Sequence, residues 1–154
     1  RFMMEIRVGY PAAEDERRIV ALSLETPTPI TPVLSPAKLI EHQDFVTRIP
    51  VPPAVVEHLV RLLPCTRPDD EACPTELREL IRWGAGPRAG QQLLRAAQAK
   101  AALAGRPAVT VEDLRGLAPS VLRHRLVPSF AALSRGLAVD ELLQMALDAC
   151  PIRG

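Results

Sequence analysis

Apolar and polar residues alternate at the start of the chain. Phe2, Met4, Ile6 and Val8 fall on one side, Glu5 and Arg7 on the other, the period-two pattern of a half-buried strand over residues 2–8. Gly9-Tyr10-Pro11 breaks the pattern, and a helical period follows over residues 12–25, with acids in the first turn and Glu14 placed to pair with Arg17 or Arg18. Its apolar stripe is Ile19, Val20, Leu22 and Leu24. Four prolines between residues 26 and 36 exclude a regular helix or central strand there. Ser35-Pro36 is a cap followed by a first-turn proline, so a helix starts there and runs to about Phe45. Pro52-Pro53 open the next helix, with a stripe of Val55, Val56, Leu59, Val60, Leu62 and Leu63.

Past a polar, proline-bounded loop at 64–74, Thr75 caps a predicted short helix over 76–83. Pro87 starts a long helix of small residues, stopped by Gly105 with Pro107 beyond. Thr110 and Asp113 form a capping box for a helix that reaches Pro119, and Pro119 begins a separate helical stretch to Arg125. A final helix over 139–149 ends at Pro151. Two short apolar pieces, 48–51 and 126–130, are bounded by helices, and their backbone groups need partners if buried. They are expected to pair as a ribbon. The predicted fold class is mainly α, with one N-terminal strand and a short two-stranded ribbon. The strand at 2–8 has no partner sheet in this sequence, so it is expected to order only where it docks. Position 1 is Arg, and the chain is expected to be a piece of a larger protein.

Composition narrows the function. Net charge is +1, which gives no overall pull toward nucleic acid or anionic lipid. Aromatics make up 3%, too few for a base-stacking platform. No apolar run approaches the ~20 residues of a membrane span. Nucleic acid and membrane are therefore not expected as partners. Cys65, Cys73 and Cys150 are odd in number and not at zinc spacing; they fit packing residues in a reducing, cytoplasmic setting. His42, His58 and His124 lie apart without metal spacing, and Asp69-Asp70-Glu71 reads as a solvated acidic loop, so no metal site is expected. The Arg123-His124-Arg125 run reads as a complement to a helix C-terminus, with contact to a polyanion as the alternative.

One residue breaks a local rule. In Trp83-Gly84-Ala85-Gly86-Pro87-Arg88-Ala89-Gly90, a cation sits in the first turn of a helix, where the dipole already supplies positive charge. The same turn offers free N–H groups to an anion, and an arginine adds a fork of donors suited to phosphate oxygens. Small residues flank it and leave room for close approach. Local physics leaves a second reading equally open, in which Arg88 reaches back to a nearby carboxylate or carbonyl.

The segment Trp83–Leu126 resembles the C-terminal lid of MoxR-type AAA+ ATPases. It has the Gly-Ala-Ser-Pro-Arg-Ala turn with Gly86 in place of Ser, a helix of small residues, a capped "VT-ED" helix start and a closing "VLRHR". Arg1–Pro11 resembles the end of that family's ATPase core. The resemblance implies a division into 1–11, the last strand and hinge of the core, and 12–154, the helical AAA+ lid. It implies that ATP and Mg bind in the full-length protein, between an upstream core and this lid, and none in this chain alone. Arg88 would be the sensor 2 arginine reaching the γ-phosphate, in a nucleotide-binding turn with Gly86, Pro87 and Ala89. Arg1 would be a catalytic arginine finger offered to a neighbouring subunit of a ring, and Tyr10 would lie near the adenine. The implied partners are the ATPase core, neighbouring subunits and von Willebrand factor A proteins, in a chaperone-like machine for assembly or metallation. Lacking a phosphate loop, this chain alone is not expected to hydrolyse ATP. The rival reading is a free-standing helical protein–protein interaction module.

Overall fold

The computed structural model describes residues 2–26 and 29–152. It is mainly α, as expected. In chain order the helices are α1 (Ala13–Leu22), α2 (Pro36–Thr47), α3 (Pro53–Leu62), α4 (Thr75–Arg78), α5 (Pro87–Leu103), α6 (Val111–Leu122), α7 (Phe130–Ser134) and α8 (Val139–Ala149). The strands are β1 (Ile81–Trp83) and β2 (Val127–Pro128), and 3₁₀ turns cover Pro64–Thr66 and Arg123–Arg125.

The core forms where α3, α5, α6 and α8 turn their apolar stripes toward one another. Leu62, Leu93, Leu114, Leu122 and Leu142 are fully buried. Small residues let α3 and α5 approach closely: a Cβ on Gly90 would lie 2.7 Å from Leu63 Cδ1. Gly105 ends α5 with φ +64°, a conformation that favours glycine. The box at the start of α6 is present, with the Asp113 N–H donating to Thr110 Oγ1 and the Thr110 N–H to Asp113 Oδ2. Arg106 closes on the same carboxylate through two bonds of 2.6 and 2.7 Å.

Four expectations are corrected. The helix predicted over 76–83 stops at Arg78, and Ile81–Trp83 becomes β1. The ribbon exists, but its partners differ: Ile81 faces Pro128 and Trp83 faces Val127. Residues 48–51 satisfy their backbone elsewhere. Gln98 Nε2 donates to Ile49 O, and the Val109 N–H to Pro50 O. The break predicted at Pro119 is absent, and α6 runs through it. Leu114, Ala118, Val121 and Leu122 form one buried stripe across the proline, and that packing outweighs the hydrogen bond Pro119 cannot make. The short helix α7 is additional, capped by Ser129 Oγ accepting from the Ala132 N–H.

The fourth correction concerns residues 2–8, which are extended chain without strand pairing among the described residues. With no sheet beside it, the segment docks on helix ends through polar groups. The Glu5 N–H donates to Ser120 O at 2.8 Å, and Arg7 Nη1 lies 3.4 Å from Asp140 Oδ2. Phe2, Ile6 and Val8 point outward, 83, 77 and 89% exposed. No helix among the described residues is long and apolar enough to cross a membrane.

Candidate functional site

The Gly84–Gly90 turn joins β1 to α5 and is built from its own backbone outward. A Cβ on Gly84 would fall 2.0 Å from Thr66 O, so only glycine fits where the two backbones cross. The next residue is pinned from both sides: the Ala85 N–H donates to Thr66 Oγ1 and Arg67 Nε donates to Ala85 O, both at 2.9 Å. Ala85, Ala89 and Gly90 are buried. The small residues at Gly84, Ala85, Ala89 and Gly90 therefore pack against the protein itself and do not clear space for a ligand. Gly86, by contrast, is open: a Cβ on it would meet nothing within 4 Å.

This rigid turn presents the start of α5 to solvent. Gly86 is the N-cap and makes no side-chain cap, Pro87 is the first helical residue, and no acid lies in the first turn. The Ala89 N–H is already given to Gly86 O at 2.9 Å. Arg88 is exposed, and its side chain has no hydrogen-bond or ion-pair partner among the described residues. The reading in which it folds back on a carboxylate or carbonyl is not realised there.

A second guanidinium stands close by. Arg125 Nη2 donates to Gln92 Oε1, one helical turn beyond Arg88, and to Phe2 O at 2.7 Å. Its Nε is buried without a partner. Burial, and then the charge of Arg88, hold Arg125 below the ordinary guanidinium range. His124 Nε2 lies 3.2 Å from the same Phe2 carbonyl. Arg123 bonds Asp140 Oδ1 at 2.5 Å and lies 4.0 Å from Glu5. The three residues expected to complement a helix C-terminus are thus tied to side chains of α5 and α8 and to the N-terminal segment. Sequence reasoning missed Thr66, Arg67 and Gln92, and took Arg125 as part of a run complementing a helix C-terminus. The i, i+4 spacing of Arg88 and Gln92 put those two on one face, but nothing local pointed to Arg125.

The remaining candidates are dispersed. Tyr10 is fully exposed and makes no hydrogen bond among the described residues. Arg1, the finger candidate, lies outside the described residues. The three cysteines are free and buried, as packing residues should be. Burial pushes the Cys65 thiol up to about 11, with Cys150 and Cys73 adding to the effect. The acidic loop is clasped by Arg78, which donates to the carbonyls of Asp70, Glu71 and Cys73. His58 is buried, and both ring nitrogens lack partners among the described residues.

Comparison with known proteins bears on this turn. Residues 74–145 match the AAA lid domain family. The chain is 32% identical over 147 residues to Chaperone MoxR1 of Mycobacterium tuberculosis, covering 96% of this chain and 39% of that protein. It is also 32% identical over 167 residues to Protein MoxR of Paracoccus denitrificans, covering 99% and 49%. The crystal structure of a candidate ATPase from Cytophaga hutchinsonii superposes over 100% of this chain and 47% of its own, with a TM-score of 0.89 at 23% identity. That likeness establishes a shared fold. The chain spans less than half the length of each of these proteins.

Proposed function

This chain carries the AAA lid domain of a MoxR-family protein, and from that premise we propose that it closes over ATP held by an ATPase core and supplies Arg88 to the γ-phosphate. The observation that carries the proposal is the state of Arg88. It is exposed, unpaired among the described residues, and set at the positive end of α5 with no acid in the turn. An interaction module without nucleotide chemistry gives no reason to leave a cation there. A polyphosphate does, because its oxygens accept from the guanidinium fork and are favoured by the helix dipole.

In this reading Gly86 and Pro87 form the open side of the nucleotide turn, and Ala89 supports it from the core side. The phosphate loop and the Mg ligands belong to the core, which is the first partner. Neighbouring subunits of a ring are the second, and Arg1 is offered to them as a finger; such an arginine contributes on the order of 10³–10⁵ in phosphoryl transfer. Tyr10, at the hinge, lies toward the base. Chaperone-like assembly or metallation of cytoplasmic clients, with von Willebrand factor A partners, completes this reading; similarity to Chaperone MoxR1 supports its chaperone character alone.

The test is Arg88→Ala in the protein that carries this lid together with its ATPase core. ATP turnover should fall by at least about tenfold, as expected when a donor to developing charge is lost, with the melting temperature unchanged. Normal turnover in this variant overturns the proposal.

A further inference from the structure

Arg125 occupies a position that the role of Arg88 alone does not explain. Both of its hydrogen bonds leave from one nitrogen, Nη2: one goes to Gln92 on α5, the other to the Phe2 carbonyl. Its own backbone belongs to the 3₁₀ turn that continues α6. Three separate parts of the chain therefore meet at a single atom. They are the N-terminal segment, the helix that bears Arg88, and the end of α6. The segment's other attachments, Phe2 to His124, Glu5 to Ser120 and to Arg123, and Arg7 to Asp140, lie on α6, its 3₁₀ extension and α8. Among the described hydrogen bonds and ion pairs, only Arg125 links the segment to α5.

We infer that Arg125 is a positioning residue: it latches the incoming N-terminal segment to α5 and keeps Arg88 turned outward toward nucleotide. The latch acts through geometry. Arg88 and Gln92 are one turn apart, so they share a helix face. Fixing Gln92 against the segment fixes the direction in which that face looks relative to residues 2–8. It also acts through charge. A guanidinium held beside Gln92 repels a second one, so Arg88 is kept from collapsing onto the surface it projects from. The inference rests on the proposed role of Arg88 and adds a second residue to it. The role inferred for Arg125 is to position Arg88, not to hold phosphate: Nη2 is committed to Gln92 and Phe2, and Nε is buried without a partner.

Three variants test this in the protein carrying the lid and its core, with Mg-ATP as substrate: Arg125→Ala, Arg125→Lys and Arg88→Ala. Loss of positioning should lower kcat by about tenfold in Arg125→Ala while KM for ATP moves less than about twofold, since misplacement affects the transition state more than ground-state binding. Arg125→Lys should recover most of kcat, because one ammonium can donate to both oxygens that Nη2 serves and keeps the charge. In the chain itself, hydrogen exchange of the Glu5 amide should quicken by about tenfold in Arg125→Ala and stay unchanged in Arg88→Ala. If Arg125→Ala turns over ATP normally while Arg88→Ala does not, the latch is refuted and the role of Arg88 stands. If Arg88→Ala turns over normally, the underlying proposal fails and the latch with it. Unchanged exchange at Glu5 in Arg125→Ala also refutes the latch. So does a failure of Arg125→Lys to recover kcat at an unchanged melting temperature.

Discussion

Helices α1 and α8 carry the same kind of apolar stripe and end in opposite states. In α1, Ile19, Val20 and Leu22 are 56, 64 and 60% exposed, and no residue of the helix is buried. In α8, Leu142, Leu143 and Leu147 are at most 4% exposed. The contrast extends to whole regions. No described residue before Ile49 is buried, whereas the chain from Ile49 to Cys150 holds a continuous core. An amphipathic pattern makes a helix that gains from burial, about 1.5–3 kcal/mol for each large side chain. It does not provide the surface that buries it. α8 finds that surface on α6 and the Pro64–Thr66 turn. For α1 and the outward row Phe2, Ile6 and Val8, a complementary surface is the property that a lid seated on a larger core would need.

The sharpest way to break this comparison is to truncate one leucine on each side of it. Leu93→Ala, from a fully buried site, should cost about 2–5 kcal/mol. Leu22→Ala should stay within about 0.5 kcal/mol. Urea unfolding of both variants at a common m-value decides the matter, and equal losses would mean that α1 is packed in solution.

Next in size is Asp113→Ala, which removes a cap and unpairs Arg106 at a carboxylate that is itself buried. About 2 kcal/mol should be lost, from the missing cap and the bonds of the Arg106 fork. The Arg106 fork, with the Thr110 N–H and Lys100, holds this carboxyl at about 2. The stability it adds is complete above the ordinary carboxylate range, near pH ~4, and is lost as pH falls toward about 2. Acid titration of wild type and variant should therefore converge at low pH.

A smaller effect, of opposite sign, is expected at His58. Its ring is buried without partners, and burial, then Arg115 and Arg61, lower its pKa below 6.5 against an opposing pull from Glu112. The unfolded chain takes up this proton first, so the neutral ring's contribution is complete above pH 6.5 and stability declines as pH drops below it. His58→Leu should stabilise by about 1–2 kcal/mol and flatten the decline between pH 7 and 5, as read from thermal midpoints. The smallest effect belongs to α2. Lys38→Ala breaks the exposed pair with Glu41, 2.8 Å apart, and should cost no more than about 0.5 kcal/mol. A larger loss would mean that α2 is more tightly held than its exposure implies.

Much of the local structure was legible because its signals are local. Ser35-Pro36, Pro87, Gly105 and the Thr110–Asp113 box each mark a boundary through their own backbone chemistry, and each boundary stands where it was expected. The conflict at Arg88 was legible for the same reason. The errors arose where distant segments compete. Ile81–Trp83 read as helix because its propensity allows it, yet it is drawn into pairing with Val127–Pro128. The small residues around Arg88 looked like room for a ligand, and four of them, Gly84, Ala85, Ala89 and Gly90, instead admit Thr66, Leu63 and the core.

The sequence by itself determined the starts of α2, α3, α5, α6 and α8, the Ser35 and Thr110 caps, and the cation at the start of α5, because those depend on neighbours within one or two turns. Tertiary structure alone decided which faces are covered, which extended pieces pair, that Pro119 stays inside a helix, and that Arg125 meets Gln92 and Phe2. The physical reason is one of range. Periodicity and capping act over about four residues, while burial and cross-chain hydrogen bonds depend on partners that here lie 33 and 123 positions away.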